Sequence, residues 1–163
     1  MRILTVRQPW AWAIIHGGKD VENRPRNIAG GYRGPIALHA GKTFDDSAWD
    51  HHVLGPMLDN ALRRGDEIEF TPGAVIGVVD LVGVHKVIET DGRAHCEPVR
   101  PPQQDAVSGA CSSWAQREAH HLVLANPRPL AEPIPYTGAL GLRNLAARDP
   151  ETVLAITRQI GAV

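Results

Sequence analysis

The stretch GGKDVENRPRN, residues 17–27, brings Lys19, Glu22 and Arg24 close together in a segment whose only large apolar side chain is Val21. A carboxylate in such a cluster can accept a hydrogen bond from the exocyclic amine of a base. An arginine beside it can clamp that carboxylate or take a phosphate bidentately. If the segment is extended, Glu22 and Arg24 lie on one face. Lys19 is one of only 3 lysines among 17 basic residues. Desolvated near an arginine, its amine would have a lowered pKa and could act as base or nucleophile, with Glu22 as the paired acid; left in solvent, it would be a phosphate contact. The structural alternative is a solvated salt-bridge cluster at a helix end, where exposed charges contribute little.

Other residues extend the candidate set. Arg7 and Gln8 precede a helix and could reach a base or phosphate, although Gln8 could equally cap that helix. Trp10 shares helical spacing with Ala13 and Ile14 and reads as core. Trp12 points off that face and is the better platform for a stacked base, a contact of ~1–3 kcal/mol. Tyr32, Arg33 and Lys42 flank a strand and would surround the polar floor. His39 alternates away from Ile36 and Leu38, either as a satisfied structural histidine or as a pocket residue. Eight histidines invite a metal. Adjacent pairs such as His51-His52 and His120-His121 diverge on a strand or helix and do not chelate. His95-Cys96 with Cys111 is the one conceivable zinc set, but without a C-x-x-C spacing no metal and no cofactor is assigned.

Short elements must position these groups. ILTVR is a β-branched strand signal. QPWAWAIIHGG reads as a helix with Pro9 in its first turn and Gly17-Gly18 as a left-handed stop. YRGPIALHAGK is a strand. DDSAWDHHVLGPMLDNALRRG is helical, with Asp45 or Asp46 as N-cap, Gly65 as stop and an interruption at Gly55-Pro56 that gives a kink or two short helices. Its expected buried stripe is Trp49, Val53, Met57, Leu58, Ala61 and Leu62. AVIGVVDLVGVHKVI is the longest strand, with Gly77 and Gly83 marking bulges. Residues 90–112 read as an irregular excursion. SSWAQREA reads as a short helix with Ser113 and Gln116 as a capping box. HHLVLAN is a strand, PRPLAEPIPYTG is extended, and ALGLRNL is the last strand. Asp149 and Pro150 open a final helix.

The 163 residues fit one domain, 1–148, followed by a C-terminal helix, 149–163. Hydrophobic content of 43% predicts a packed core, and no apolar run is long enough to span a bilayer. The start lacks a secretory h-region and two cysteines make no disulfide scaffold, so the expected location is cytoplasmic. A net charge of −1 argues against a duplex binder that relies on counterion release. It leaves a local basic cluster or a base-sized pocket.

Several of these blocks together resemble one family. TVRQPWAWAIIHGGKDVENR resembles the opening of the ASCH domain, a branch of the PUA-like barrels, whose G-x-K-x-x-E-x-R signature is met by Gly17, Lys19, Glu22 and Arg24. YRGPIALHA is similar to the family's next strand, GAVIGVVDLVGV to its central strand, and HHLVLANPRPLAEPIPYTGALGLRNL to its closing strands. The resemblance implies an α+β fold, a small PUA-like curved β-barrel of five to six strands with peripheral helices, and a cleft lined by the motif. It implies RNA, another single strand or a nucleotide as the partner. Some small bacterial members are hydrolases that deacylate modified cytidine and others are reported as nucleases, which would make Lys19 and Glu22 the catalytic pair here. Those acylcytidine hydrolases carry a threonine nucleophile three residues after their lysine. This chain has Glu22 there.

Overall fold

The computed structural model describes residues 1–90, 93–96 and 111–161. In chain order the elements are β1 (Arg2–Gln8), α1 (Trp10–His16), β2 (Val21–Arg24) and β3 (Gly34–Phe44). A 3₁₀ turn (Asp46–Asp50), α2 (Leu54–Arg64), β4 (Ala74–Thr90) and β5 (Arg93–Cys96) follow. The chain closes with β6 (His120–Pro135), β7 (Leu142–Asn144), α3 (Leu145–Arg148) and α4 (Pro150–Ile160). The fold is the α+β class that the sequence predicts. Strands run β2-β6-β4-β3-β1-β7 in one mixed sheet, with β5 added to the far end of β4 as a seventh strand. Among the described strands, only β1 and β3 pair in parallel. The path ends at β2 and β7, so the sheet is a curved, open relative of a barrel.

Curvature is built into β4. Its register against β6 slips at Val75/Gly77, Val78/Asp80 and Leu81/Gly83, and each bulge bends the strand and increases its twist. Gly77 and Gly83 mark two of these places, as the sequence predicts. The bent sheet wraps α1, whose Ala11, Ile14 and Ile15 pack with Leu4, Val6, Ile36, Leu38, Leu81 and Leu122. The opposite face carries Ile3, Ala37, Val75 and Val78 against Leu145 and Ile156 of the C-terminal helices. β3 is therefore apolar on both faces, since it lies between two cores. A third cluster joins α2 to Trp114 and Val21. Asp149 caps α4 by accepting from Thr152 N at 2.9 Å.

Three local expectations are corrected. The 45–65 segment breaks before Gly55-Pro56, at His51–Val53; the proline sits in the first turn of α2, where a missing N–H breaks no intrahelical bond. The buried face of α2 is Leu54, Leu58 and Ala61, while Trp49 and Leu62 are exposed. Residues 113–118 form turns and not a helix, because Ser112 Oγ accepts from Trp114 N and Asn23 Oδ1 accepts from Gln116 N. The excursion at 90–112 falls largely outside the described residues. No described helix is long and apolar enough to cross a membrane.

Candidate functional site

The end of α1 sets the geometry of the motif. Gly17 N and Lys19 N both donate to Ala13 O at 2.9 Å, and Gly18 turns the chain at φ 69°, a conformation that costs glycine nothing. The doubled glycine thus throws Lys19 inward. β2 then begins, pairing with β6 at Val21↔Val123, Glu22↔Leu122, Asn23↔His121 and Arg24↔His120. Val21 is buried in the core, and Glu22 and Arg24 project on the same side.

Lys19, only 4% exposed, donates from Nζ to Val21 O and to Glu22 Oε2, the latter at 3.0 Å. Arg24 Nη2 lies 3.1 Å from the other carboxylate oxygen, Oε1, and donates to Thr5 O at 2.8 Å. The Glu22 carboxylate is held between an ammonium and a guanidinium. The Arg24–Thr5 bond also spans the curled sheet, since β2 and β1 are not neighbours along it.

These three side chains line a cleft of about 880 Å³. Arg7 and Lys42, both exposed, stand at its mouth. One part of the lining is aromatic. His51 stacks on Trp114 at 5.4 Å with planes 6° apart, and meets Trp10 edge-on at 5.1 Å. Trp10 Nε1 donates to Asp45 Oδ2 at 3.1 Å, which fixes the indole. Hydrogen bonds from Ser47 and then from Trp10 hold the Asp45 carboxyl below its ordinary range, so it stays anionic. His51 Nδ1 faces the backbone N–H groups of Val53 and Leu54, so the ring proton sits on Nε2. Burial, then the charges of His52 and Lys19, push its pKa down and keep it neutral.

His39 lines the other side and is buried. Its Nε2–H donates to Tyr136 O at 3.0 Å, which leaves Nδ1 to accept from the Thr5 hydroxyl at 3.2 Å. Thr5 Oγ1 in turn accepts from Ala139 N, tying down the loop 137–141. Burial lowers the His39 pKa, against a smaller opposing effect of the Tyr136 bond. Gly138 is required by close approach. A Cβ there would lie 2.4 Å from His39 Cε1 and 2.7 Å from Thr5 Oγ1.

Among the sequence candidates, Arg7, Lys19, Glu22, Arg24, His39 and Lys42 meet in this cleft. Four others do not. Gln8 is 2% exposed, with its side-chain amide accepting from Trp12 N in the first turn of α1, one residue before the N-cap Pro9, and donating to Thr71 O. Trp12 packs on Phe70 and His16 away from the cleft, and Trp10 takes the place expected for it. Tyr32 donates to Pro35 O and lies under Arg2. Arg33 bonds the carbonyls of Gly30 and Tyr32 in solvent. The sequence reading missed Thr5, Asp45, His51, Trp114 and the loop 137–141. Only Trp114 carried a signal, as a large aromatic in an otherwise polar turn.

The family model of the ASCH domain matches residues 4–134, most of the chain and all of the motif, β3, β4 and nearly all of β6. The chain belongs to the ASCH domain family, a membership that points to nucleic-acid binding in general.

Proposed function

We propose that the cleft binds one nucleotide of RNA or another single strand, with the base inserted and the phosphates at the mouth. The observation that carries the reading is the buried Glu22 carboxylate, held from two sides by cations at the bottom of a cleft large enough for a nucleotide. A fixed, ionised acceptor of this kind suits the amino and ring N–H groups of a base edge. Trp10 and His51 supply faces for stacking, with the buried Trp114 backing the His51 ring. Arg7 and Lys42 supply phosphate contacts, and Leu140, 91% exposed on the adjoining loop, is placed to touch a neighbouring base. A flipped or single-stranded base fits this arrangement better than a duplex, because the chain as a whole carries a net charge of −1.

The hydrolase reading has less support. The Lys19 ammonium donates to Val21 O and Glu22, which is the work of a holding cation, and Glu22 stands where the deacylating relatives carry their nucleophile.

Fluorescence anisotropy with labelled single-stranded RNA of each base, against a duplex of the same length, tests the proposal. Single strands are expected to bind more tightly. Two phosphate contacts predict a slope of about −1.4 in log affinity against log salt, and Arg7→Ala or Lys42→Ala should each reduce its magnitude by ~0.7. Equal affinity for the duplex, or no binding at low salt, overturns it. Turnover of N4-acetylcytidine that is lost in Glu22→Gln would favour the hydrolase instead.

A further inference from the structure

We propose that His85, Cys96, Cys111 and His121 form a closed tetrahedral zinc site that pins the turn carrying Trp114 against the sheet. This inference stands apart from the nucleic-acid reading and uses none of its residues as ligands.

The sheet register brings the four together. His85 and His121 are direct partners between β4 and β6, and Cys96 is the partner of Val87 on the other flank of β4. Residues 85 and 87 share a face, so Cys96 joins the histidines there. Cys111 enters at the head of the 112–116 turn. His85, Cys96 and His121 are buried, and Cys111 is half-buried. The cluster is thus sealed by protein on most sides.

The donor atoms all lie within 4.8 Å of one another. His121 Nδ1 is 3.2 Å from His85 Nε2, 3.5 Å from Cys96 Sγ and 3.3 Å from Cys111 Sγ. A tetrahedral zinc with ordinary Zn–S and Zn–N bonds has edges of about 3.3 Å between nitrogens and about 3.6 Å between nitrogen and sulfur. The three edges that meet at His121 Nδ1 fit a zinc tetrahedron, and the others, within 4.8 Å, need to close only modestly around the ion. Hydrogen bonding alone does not account for it, because His121 Nδ1 has one lone pair and faces three groups.

The surroundings fit a metal ligand set. His121 Nε2 donates to Gln116 O at 2.8 Å, which fixes the tautomer that leaves Nδ1 bare toward the cluster. Cys111 N donates to Cys96 Sγ at 3.3 Å, a backbone bond of the kind that orients a metal-bound sulfur. Two sulfurs and two imidazoles select zinc over magnesium or calcium. On binding, the two thiols each lose a proton to solvent and four bonds to the metal form, giving a neutral centre. No ligand position is open, so the role is structural. Its consequence falls on the segment that Asn23 holds through Trp114 O and Gln116 N. The set differs from the one conceivable in the sequence, with His85 and His121 standing in place of His95.

The test is elemental analysis of the reduced, full-length protein purified without a metal-affinity step, together with cobalt substitution. One zinc per chain is expected. Cobalt(II) added to the chelator-treated protein should give thiolate-to-metal charge transfer and the intense d–d bands of a tetrahedral S₂N₂ site. Cys111→Ser should weaken zinc binding at least tenfold. Should that variant fail to fold, the cobalt spectrum of the unmodified chain still decides. A folded chain that holds no zinc and gives only the weak spectrum of aquated cobalt overturns the proposal, as does a Cys96–Cys111 disulfide found by mass in protein prepared anaerobically.

Discussion

Replacing Glu22 by glutamine keeps the shape of the side chain and removes the charge that two cations share. Lys19 is almost fully buried; besides Glu22, its ammonium has the Val21 carbonyl and the face of the Trp10 ring, 6.0 Å away, neither of which carries a counter-charge. Removing one member of a buried ion pair typically costs about 3–5 kcal/mol, because the remaining charge is left without a counter-ion. The Arg24 side chain is 25% exposed and keeps its bond to Thr5 O, which places the expected loss at the low end, near 3 kcal/mol. At about 2–4 °C per kcal/mol for a chain of this size, the melting temperature should fall by roughly 6–12 °C. Lys19→Met keeps the stem in place and leaves Glu22 paired with Arg24. Its cost is the lost charge-assisted bond and an orphaned Val21 carbonyl, ~2–4 kcal/mol together. The double variant has neither charge, so its loss should fall short of the sum of the two by about 1.5–3 kcal/mol. Urea unfolding followed by tryptophan fluorescence measures all three. Simple additivity within ~0.5 kcal/mol would refute the claim that residues 19 and 22 form one electrostatic unit.

Two further perturbations probe the walls of the cleft. Gly138→Ala puts a methyl group 2.4 Å from the His39 ring, so the loop 137–141 must move; stability should fall by ~1–3 kcal/mol, and an unchanged melting curve would show that the loop is already loose. Burial holds the pKa values of His39 and His51 below the 6.5 of a free histidine. As pH falls past that value the unfolded chain takes up these protons first, so stability is fully present above it and declines below. Urea midpoints should therefore be lower at about pH 5 than at about pH 7.5, and His39→Gln should flatten the difference; a protein that gains stability on acidification contradicts the assignment.

What could be read from the sequence was what depends on neighbours along the chain. The glycine stop after α1, the β-branched runs of β3 and β4, the bulge glycines and the Asp149 cap are all decided by residues within a few positions. Side chains claimed by distant partners were not legible. SSWAQREA has a helical look, yet Ser112 Oγ bonds Asp20 and Asn23 bonds Trp114 and Gln116, contacts that span about ninety positions of chain. Trp10 and Trp12 were exchanged in role because Asp45, from beyond β3, draws the first indole into the cleft, while Phe70 takes the second. Tyr32 and Arg33 look like rim residues until their donors are followed to local carbonyls. His85 and His121 are 36 positions apart, and only the β4–β6 register makes them neighbours.

The opening motif therefore has two jobs, divided by the glycine turn that directs Lys19 inward and by alternation along the four residues of β2. Lys19, Glu22 and Arg24 shape the cleft. The residues between them hold that shape: Val21 enters the core, Asp20 accepts from Ser112 and from Leu124 N, and Asn23 clasps both sides of the Trp114 turn. Among the described strands β2 is an edge, paired with β6 alone, and an edge of this length has little hold on a sheet without such side-chain bonds. The positions written as x in G-x-K-x-x-E-x-R are thus not free in this chain. Asn23 is also the register partner of His121, so the residue that clasps the Trp114 turn and pairs with β6 at this point is the chain neighbour of Glu22.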